Sequence, residues 1–154
     1  MEPITANQVI MQDLVFLDQE INSQQECFDF FIQQLVTFDK IDNDLEFLTS
    51  IMAREMEIST AIGYSIAIPH GKSSTVKQPF IAFLRSKQPF LWSPLHPETV
   101  QLVFLIGVPE EANQLHLKFI SELSKKLMDE QFRRQLLLES EQKKVYQQLS
   151  SINI

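Results

Sequence analysis

Residues 66–72 read Ile-Ala-Ile-Pro-His-Gly-Lys, an apolar run that stops at a proline and sets a histidine between that proline and a glycine. Proline and glycine are turn residues, and histidine is not. The pattern therefore presents the imidazole of His70 at the tip of a strand, where open sheets keep their sites. Neutral imidazole is a nucleophile, a proton carrier or a metal ligand near neutral pH; a packed, hydrogen-bonded histidine is the alternative. There are two other histidines. His116 lies on the apolar face of a helical pattern, where a core histidine is the usual reading. His96 sits in Ser-Pro-Leu-His-Pro-Glu, a surface loop by its prolines. Two arginines also stand out, Arg54 and Arg85. Arg54 closes a helical segment, and a cation there suits the helix dipole.

Several chemistries lack their residues. The histidines do not have the tight spacing of a zinc motif, and the single cysteine, Cys27, is far from all of them. No metal site is expected. Cys27 falls on the inward side of a helix and reads as an inert packed thiol. No Gly-x-Ser-x-Gly elbow exists, and three glycines in all leave no glycine-rich nucleotide loop. No cofactor is implied.

The elements that must position these side chains follow from periodicity. Leu14–Leu17 is a short apolar strand. Ser23 and Glu26 form a capping pattern before a helix over 24–38, with Cys27, Phe30, Phe31, Leu35 and Phe38 at helical spacing. A second helix is expected over 43–56, capped by Asn43, with Leu45, Leu48, Ile51 and Met52 turned inward. The period then changes. Runs at 65–69, 79–86 and 99–108 are rich in Ile, Val and Phe and bounded by Pro and Gly, as buried strands are. The proline-punctuated stretch 87–98 reads as a loop. A helix is expected to start near Glu110, after Pro109, and to carry Ala112, Leu115, His116, Phe119, Ile120, Leu123 and Leu127 on one face. Shorter helices follow over 129–139 and 141–150, the last capped by Ser140. Helices, then strands, then helices predict an α/β fold, a mixed sheet flanked by helices in one sandwich-like domain over 1–154.

The 154 residues suffice for a sizeable core, and 44% of them are apolar. No run of about 18 apolar residues marks a membrane span. The first dozen residues lack the basic start and apolar block of a secretion signal. With one cysteine this leads to an expectation of a cytoplasmic protein that does not insert in a membrane. The net charge of −7 argues against nucleic acid, which needs a positive surface.

The segment Arg54-Glu55 … Ser59-Thr60-Ala61-Ile62-Gly63 … Ala67-Ile68-Pro69-His70-Gly71-Lys72 resembles the signature region of the fructose/mannitol-type enzyme IIA of the bacterial phosphoenolpyruvate-dependent sugar phosphotransferase system. The later Val108-Pro109-Glu110-Glu111-Ala112-Asn113 block, with His116-Leu117 after it, is similar as well, and the likeness runs from about residue 10 to 150. The resemblance implies that His70 accepts a phosphoryl group from the phosphocarrier HPr and passes it to a cysteine of a IIB component of a sugar permease. It implies that His116 faces His70, and that Arg54 belongs to the site. Arg54 could then give two parallel donors to phosphoryl oxygens. Ser59 and Thr60 hydroxyls and backbone N–H groups near Gly71 could complete the cradle. No cofactor is demanded by such a transfer. A partner surface containing some of the 12 phenylalanines is expected around the active histidine.

Two departures stand out. Where the family reads Ser-Thr-Gly-Ile-Gly-x-Gly, this chain has Ala61 and Ser65 for the first and third glycines. The family's Asp-Gly turn before the strand at 99–108 is replaced by Pro94-Leu95-His96-Pro97-Glu98. Two other functions remain: a nitrogen-type regulatory IIA protein, whose histidine phosphorylation switches partner binding, and a binding module with structural histidines.

Overall fold

The computed structural model describes residues 6–112 and 114–154. The first five residues, part of the segment read for a secretion signal, and Asn113 of the second family block lie outside them. A short helix α1 (Ala6–Val9) leads into β1 (Ile10–Gln19), which is longer than the expected strand. Then come α2 (Gln24–Thr37) and α3 (Asp44–Glu57), the short strands β2 (Ala61–Gly63), β3 (Ile66–Ala67) and β4 (His70–Lys72), and the long strands β5 (Phe80–Ser93) and β6 (His96–Val108). Helices α4 (Leu115–Leu127), α5 (Glu130–Leu138) and α6 (Gln142–Leu149) complete the chain.

The sheet is mixed, in the order β1-β5-β6-β3-β2, with β4 also on β6. Strands β5 and β6 are antiparallel, β1 runs parallel to β5, and β3 and β4 both run parallel to β6. Alternation along β5 divides two cores. Ala82 and Leu84 pack with α2 and α3, whereas Ile81 and Phe83 pack with α4, α5 and α6. The expected α/β sandwich is present, with helices on both faces.

Local signals account for the helix starts. Ser23 Oγ accepts from Glu26 N at 3.1 Å, while Glu26 reaches back one residue further than expected, to Asn22 N. Asn43 Oδ1 accepts from Glu46 N at 3.0 Å. Four expectations are corrected. In α3 the sheet-facing residues are Phe47 and Ile51, with Leu48 partly packed; Leu45 and Met52 are exposed. The stretch 87–98 is no loop but the outer half of the β5–β6 hairpin, pairing Phe90 with Val100 and Ser93 with His96. Pro89 is tolerated at the register shift between Arg85 and Phe90. Ala112 N donates to Pro109 O and Leu115 N to Ala112 O, and α4 begins at Leu115, five residues later than Glu110. Finally, α6 begins at Gln142 behind Glu141, with no side-chain cap from Ser140.

Arg85 proves structural. Its side chain is 3% exposed; Nε and Nη2 donate to the Asp18 carboxylate at 2.9 and 3.2 Å, and Nη1 donates to the Leu136 and Glu139 carbonyls at the end of α5. That bond to Arg85, first among its causes, holds the Asp18 carboxyl below the ordinary range. The last helices are thereby tied to the sheet.

The glycine departures separate on geometry. Ala61 lies in β2 without a positive φ, but Tyr64 (φ 56°) and Ser65 (φ 61°) form a two-residue hairpin turn with left-handed backbone at both positions. That turn favours Asn-Gly. Left-handed backbone costs an L-residue about 1–2 kcal/mol, and glycine would add about 0.4–1 kcal/mol of unfolded-chain entropy. Ser65→Gly is therefore expected to stabilise the fold by up to about 1 kcal/mol. The measurement is the urea midpoint, which should rise with an unchanged slope.

Candidate active site

His70 is placed by an interrupted strand. β3 stops at Ala67, Ile68 N donates across to Thr60 O, and Pro69 has no N–H to offer the ladder. The Pro69 carbonyl then accepts from Ile106 N, and β4 resumes beside β6 with His70 opposite Ile106. Side chains alternate along a strand. Gly71 faces α3: a Cβ there would lie 2.8 Å from Ile51 Cγ2 and 2.9 Å from Ser50 Oγ, so only glycine permits this approach. His70, one residue earlier, faces the other way, toward α4.

The two imidazole nitrogens have distinct partners. Nδ1 lies 3.0 Å from the Ile68 carbonyl, which can only accept, so Nδ1 carries the proton. Nε2 then holds the lone pair, and it accepts from Arg54 Nε at 3.1 Å. Arg54 reaches it because 47, 51 and 54 share one helix face: Phe47 and Ile51 bury that stripe, and Arg54 ends it beside β4. Its Nη1 donates to the Ile58 carbonyl at 2.9 Å.

His116 arrives from the opposite side of the sheet by the same logic. Phe119, Leu123 and Leu127 bury one stripe of α4, and His116 stands at its N-terminal end. The His70 and His116 rings are stacked, with centroids 5.8 Å apart and 29° between planes. His116 Nδ1 is buried and has no hydrogen-bond partner among the described residues. Burial, the larger cause, and then the Arg54 charge hold His70 below the ordinary histidine pKa against upward pulls from Ile68 O, Glu55 and Glu57. Burial, then His70, Lys72 and Arg54, hold His116 below it too.

Of the six expected site residues, the structure brings His70, His116 and Arg54 together. Ser59 Oγ accepts from Ala61 N at 3.2 Å. Thr60 is buried and its hydroxyl donates to Glu55 Oε2 at 2.6 Å, so it is turned away from a donor role to phosphate. Gly71 serves close packing. Two residues were not among the expected site residues: Glu55, named only as part of the Arg54-Glu55 pair, which accepts from Thr60 and Trp92, and Trp92 itself. The period-2 pattern Phe90 inward, Leu91 outward, Trp92 inward was the available signal for the hairpin that carries Trp92. The phenylalanines correct another expectation, since all 12 are buried or half-buried. Exposed apolar side chains next to site residues in the chain include Leu117, which follows His116, and Ile58, whose carbonyl holds Arg54. Among the described residues no cluster of His, Cys, Asp and Glu is placed to hold a metal, and no helix is long and apolar enough to cross a membrane. Cys27 is buried, which pushes its thiol pKa up and leaves it unreactive.

Residues 8–152 match the family described as phosphoenolpyruvate-dependent sugar phosphotransferase system, EIIA 2. The chain is 31% identical over 135 residues to the fructose-specific EIIA component of Haloferax volcanii, covering 88% of this chain and 87% of that one. It is 36% identical over 130 residues to the fructose-specific EIIABC component of Bacillus subtilis, covering 84% of this chain but only 20% of that longer protein. Among solved structures, the nitrogen regulatory protein IIA-Ntr of Neisseria meningitidis superimposes with a TM-score of 0.84 at 29% identity, over 93% of this chain and 97% of that one.

Proposed function

The chain belongs to the EIIA 2 family of the phosphoenolpyruvate-dependent sugar phosphotransferase system, and from that premise we propose that it is a cytoplasmic phosphocarrier that takes a phosphoryl group from phospho-HPr on His70 Nε2 and hands it to a IIB component. The observation that carries this reading is the fixed tautomer of His70, with its proton on Nδ1 toward Ile68 O and its lone pair on Nε2 beside Arg54.

The Nε2 lone pair attacks phosphorus, the phosphorus–nitrogen bond to the donor breaks, and its electrons return to the donor imidazole. The His70 ring then carries a positive charge that the Ile68 carbonyl stabilises through Nδ1–H. The same arrangement lets the ring depart as neutral imidazole, so the transfer is reversible. Arg54 must let go of Nε2 as the new bond forms, and its N–H groups then turn to the phosphoryl oxygens. The start of α4, which has no side-chain cap, adds the positive end of a helix dipole near His116. Exposed Ile58 and Leu117, beside the Arg54 acceptor and His116, offer apolar contacts to HPr and IIB.

The test is incubation with phosphoenolpyruvate, enzyme I and HPr, followed by mass measurement. One added phosphoryl group that moves on to a IIB component is expected, and a protein that gains no mass rejects the reading. The likeness to IIA-Ntr favours a regulatory role as the second reading; a phosphoryl group that is accepted but never passed to any IIB would select it.

A pH dependence follows from the two depressed histidines. Both rings are expected to be neutral at pH 7 and to titrate, in a histidine-selective NMR experiment, below the ordinary value of about 6.5. The unfolded chain binds those protons first. The stabilisation is therefore fully present above about pH 6.5 and lost as the pH falls below it. Midpoints at or above the ordinary value would contradict the burial argument.

A further inference from the structure

Resting on the reading of His70 as phosphoryl acceptor, we propose that Glu55 and Trp92 are positioning residues for Arg54, linking the β5–β6 hairpin to the acceptor imidazole. Glu55 follows Arg54 on the last turn of α3, and its carboxylate takes three short hydrogen bonds. Oε1 accepts from Thr60 N at 2.8 Å and from Trp92 Nε1 at 2.6 Å, and Oε2 accepts from Thr60 Oγ1 at 2.6 Å. Trp92 is rigidly held, 1% exposed and packed edge-on against Phe28 with centroids 5.7 Å apart. It is therefore the fixed end of the chain of contacts.

The other end is the segment 58–60, which has no regular structure between α3 and β2. It meets both nitrogens of His70 at one remove. The Ile58 carbonyl orients Arg54 through Nη1, and Arg54 Nε donates to His70 Nε2. The Thr60 carbonyl accepts from Ile68 N, and the Ile68 carbonyl holds His70 Nδ1–H. Both donors of Thr60 end on Glu55. Removing the carboxylate would release the segment, and with it the acceptor for Arg54 Nη1. The long hairpin thereby gains a purpose: its outer half carries Trp92 to the site.

The experiment compares Glu55→Ala, Glu55→Gln and Trp92→Phe in the full chain. Two quantities are read: single-turnover transfer from phospho-HPr over a range of donor concentrations, and the NMR exchange rate of the Arg54 Nε proton in the unphosphorylated protein. Glu55→Ala is expected to slow transfer at saturating donor by roughly 10–100-fold with little change in KM, because a small misplacement of a positioned group costs rate. Its Arg54 Nε proton should exchange faster. Glu55→Gln keeps an oxygen for Trp92 and Thr60 N and an amide that can donate to Thr60 Oγ1, so most of the rate should return. Trp92→Phe keeps the ring packing, removes one donor, and should lose a few-fold. A Glu55→Ala protein with wild-type rate and a protected Arg54 proton overturns the proposal. So does a Glu55→Gln protein as slow as Glu55→Ala, since charge and not hydrogen bonding would then carry the effect. Should Glu55→Ala fail to fold, Trp92→Phe decides, and wild-type behaviour in both readouts overturns the proposal. A wild type that takes no phosphate rejects the acceptor reading instead, and proton exchange still tests the positioning.

Discussion

His70→Ala is expected to take up no phosphate while keeping its fold. The ring is only partly buried, and its two hydrogen-bonding partners, Ile68 O and Arg54 Nε, can turn to water once it is gone. Two other nucleophilic side chains are withdrawn. Cys27 is sealed in the core, and Thr60 is bonded to Glu55. His116 is the one rival, and the two rings are close enough that assignment needs both variants. His116→Ala is expected to be phosphorylated still, with slower exchange in one or both directions. Its buried Nδ1, without a partner among the described residues, reads as a group whose partner arrives with the phosphoryl oxygens. The label on the wild type should be acid-labile and base-stable, because protonating a phosphorylated imidazole makes it a good leaving group. Mass spectrometry after treatment with phosphoenolpyruvate, enzyme I and HPr checks each point. A His70→Ala protein that gains one phosphate, beside a His116→Ala protein that gains none, would exchange the two roles. Wild-type behaviour in both variants would end the phosphocarrier reading.

The residues differ in how far the chain alone revealed them. His70 announced itself locally, because a histidine between proline and glycine has no propensity reason to be there. Arg54 and His116 did not: each has an ordinary helical explanation, and only the family resemblance set them beside His70. The structure explains that silence. Both terminate buried helix stripes that pack on opposite faces of the sheet, and they meet only because β4 pairs in parallel with the distant β6. Contacts of that kind are set by topology, which periodicity does not encode. The sheet itself was legible in the apolar runs, since Ala82 and Leu84 face one core while Ile81 and Phe83 face the other. The hairpin was hidden by its prolines, although Phe90 and Trp92 already alternate with Leu91. The helix after Pro109 starts later than its sequence suggests because proline and two glutamates imitate a helix start, whereas Ala112 N first bonds back to Pro109 O and the helix opens at Leu115. Glu55 entered only as the second residue of the family's Arg-Glu pair, with no role of its own, and its partners at 60 and 92 come from a loop and a strand that the sequence could not bring together.

Arg54→Lys is expected to be far from conservative. It keeps the charge and removes the planar fork. Arg54 now performs two tasks with two nitrogens, donating Nε to His70 Nε2 and Nη1 to the Ile58 carbonyl. Lysine has a single nitrogen that would have to serve both sites, and its donors rotate about one point. As phosphorus bonds to Nε2, the arginine N–H groups can stay in register with two phosphoryl oxygens while the Ile58 bond keeps the plane in place. The ammonium has no such guide. Losing one charge-assisted hydrogen bond in the transition state should slow transfer by roughly 10–100-fold, about 1.5–3 kcal/mol. The fold should survive, since Phe47 and Ile51, not Arg54, carry the packing of α3 on the sheet. The effect should appear in both directions, because the oxygens of the transferring group need the same donors whether it arrives or leaves. Single-turnover rates toward and away from His70, with the thermal midpoint measured in parallel, separate this from unfolding. Transfer at the wild-type rate would return Arg54 to the role of a cation at the end of a helix.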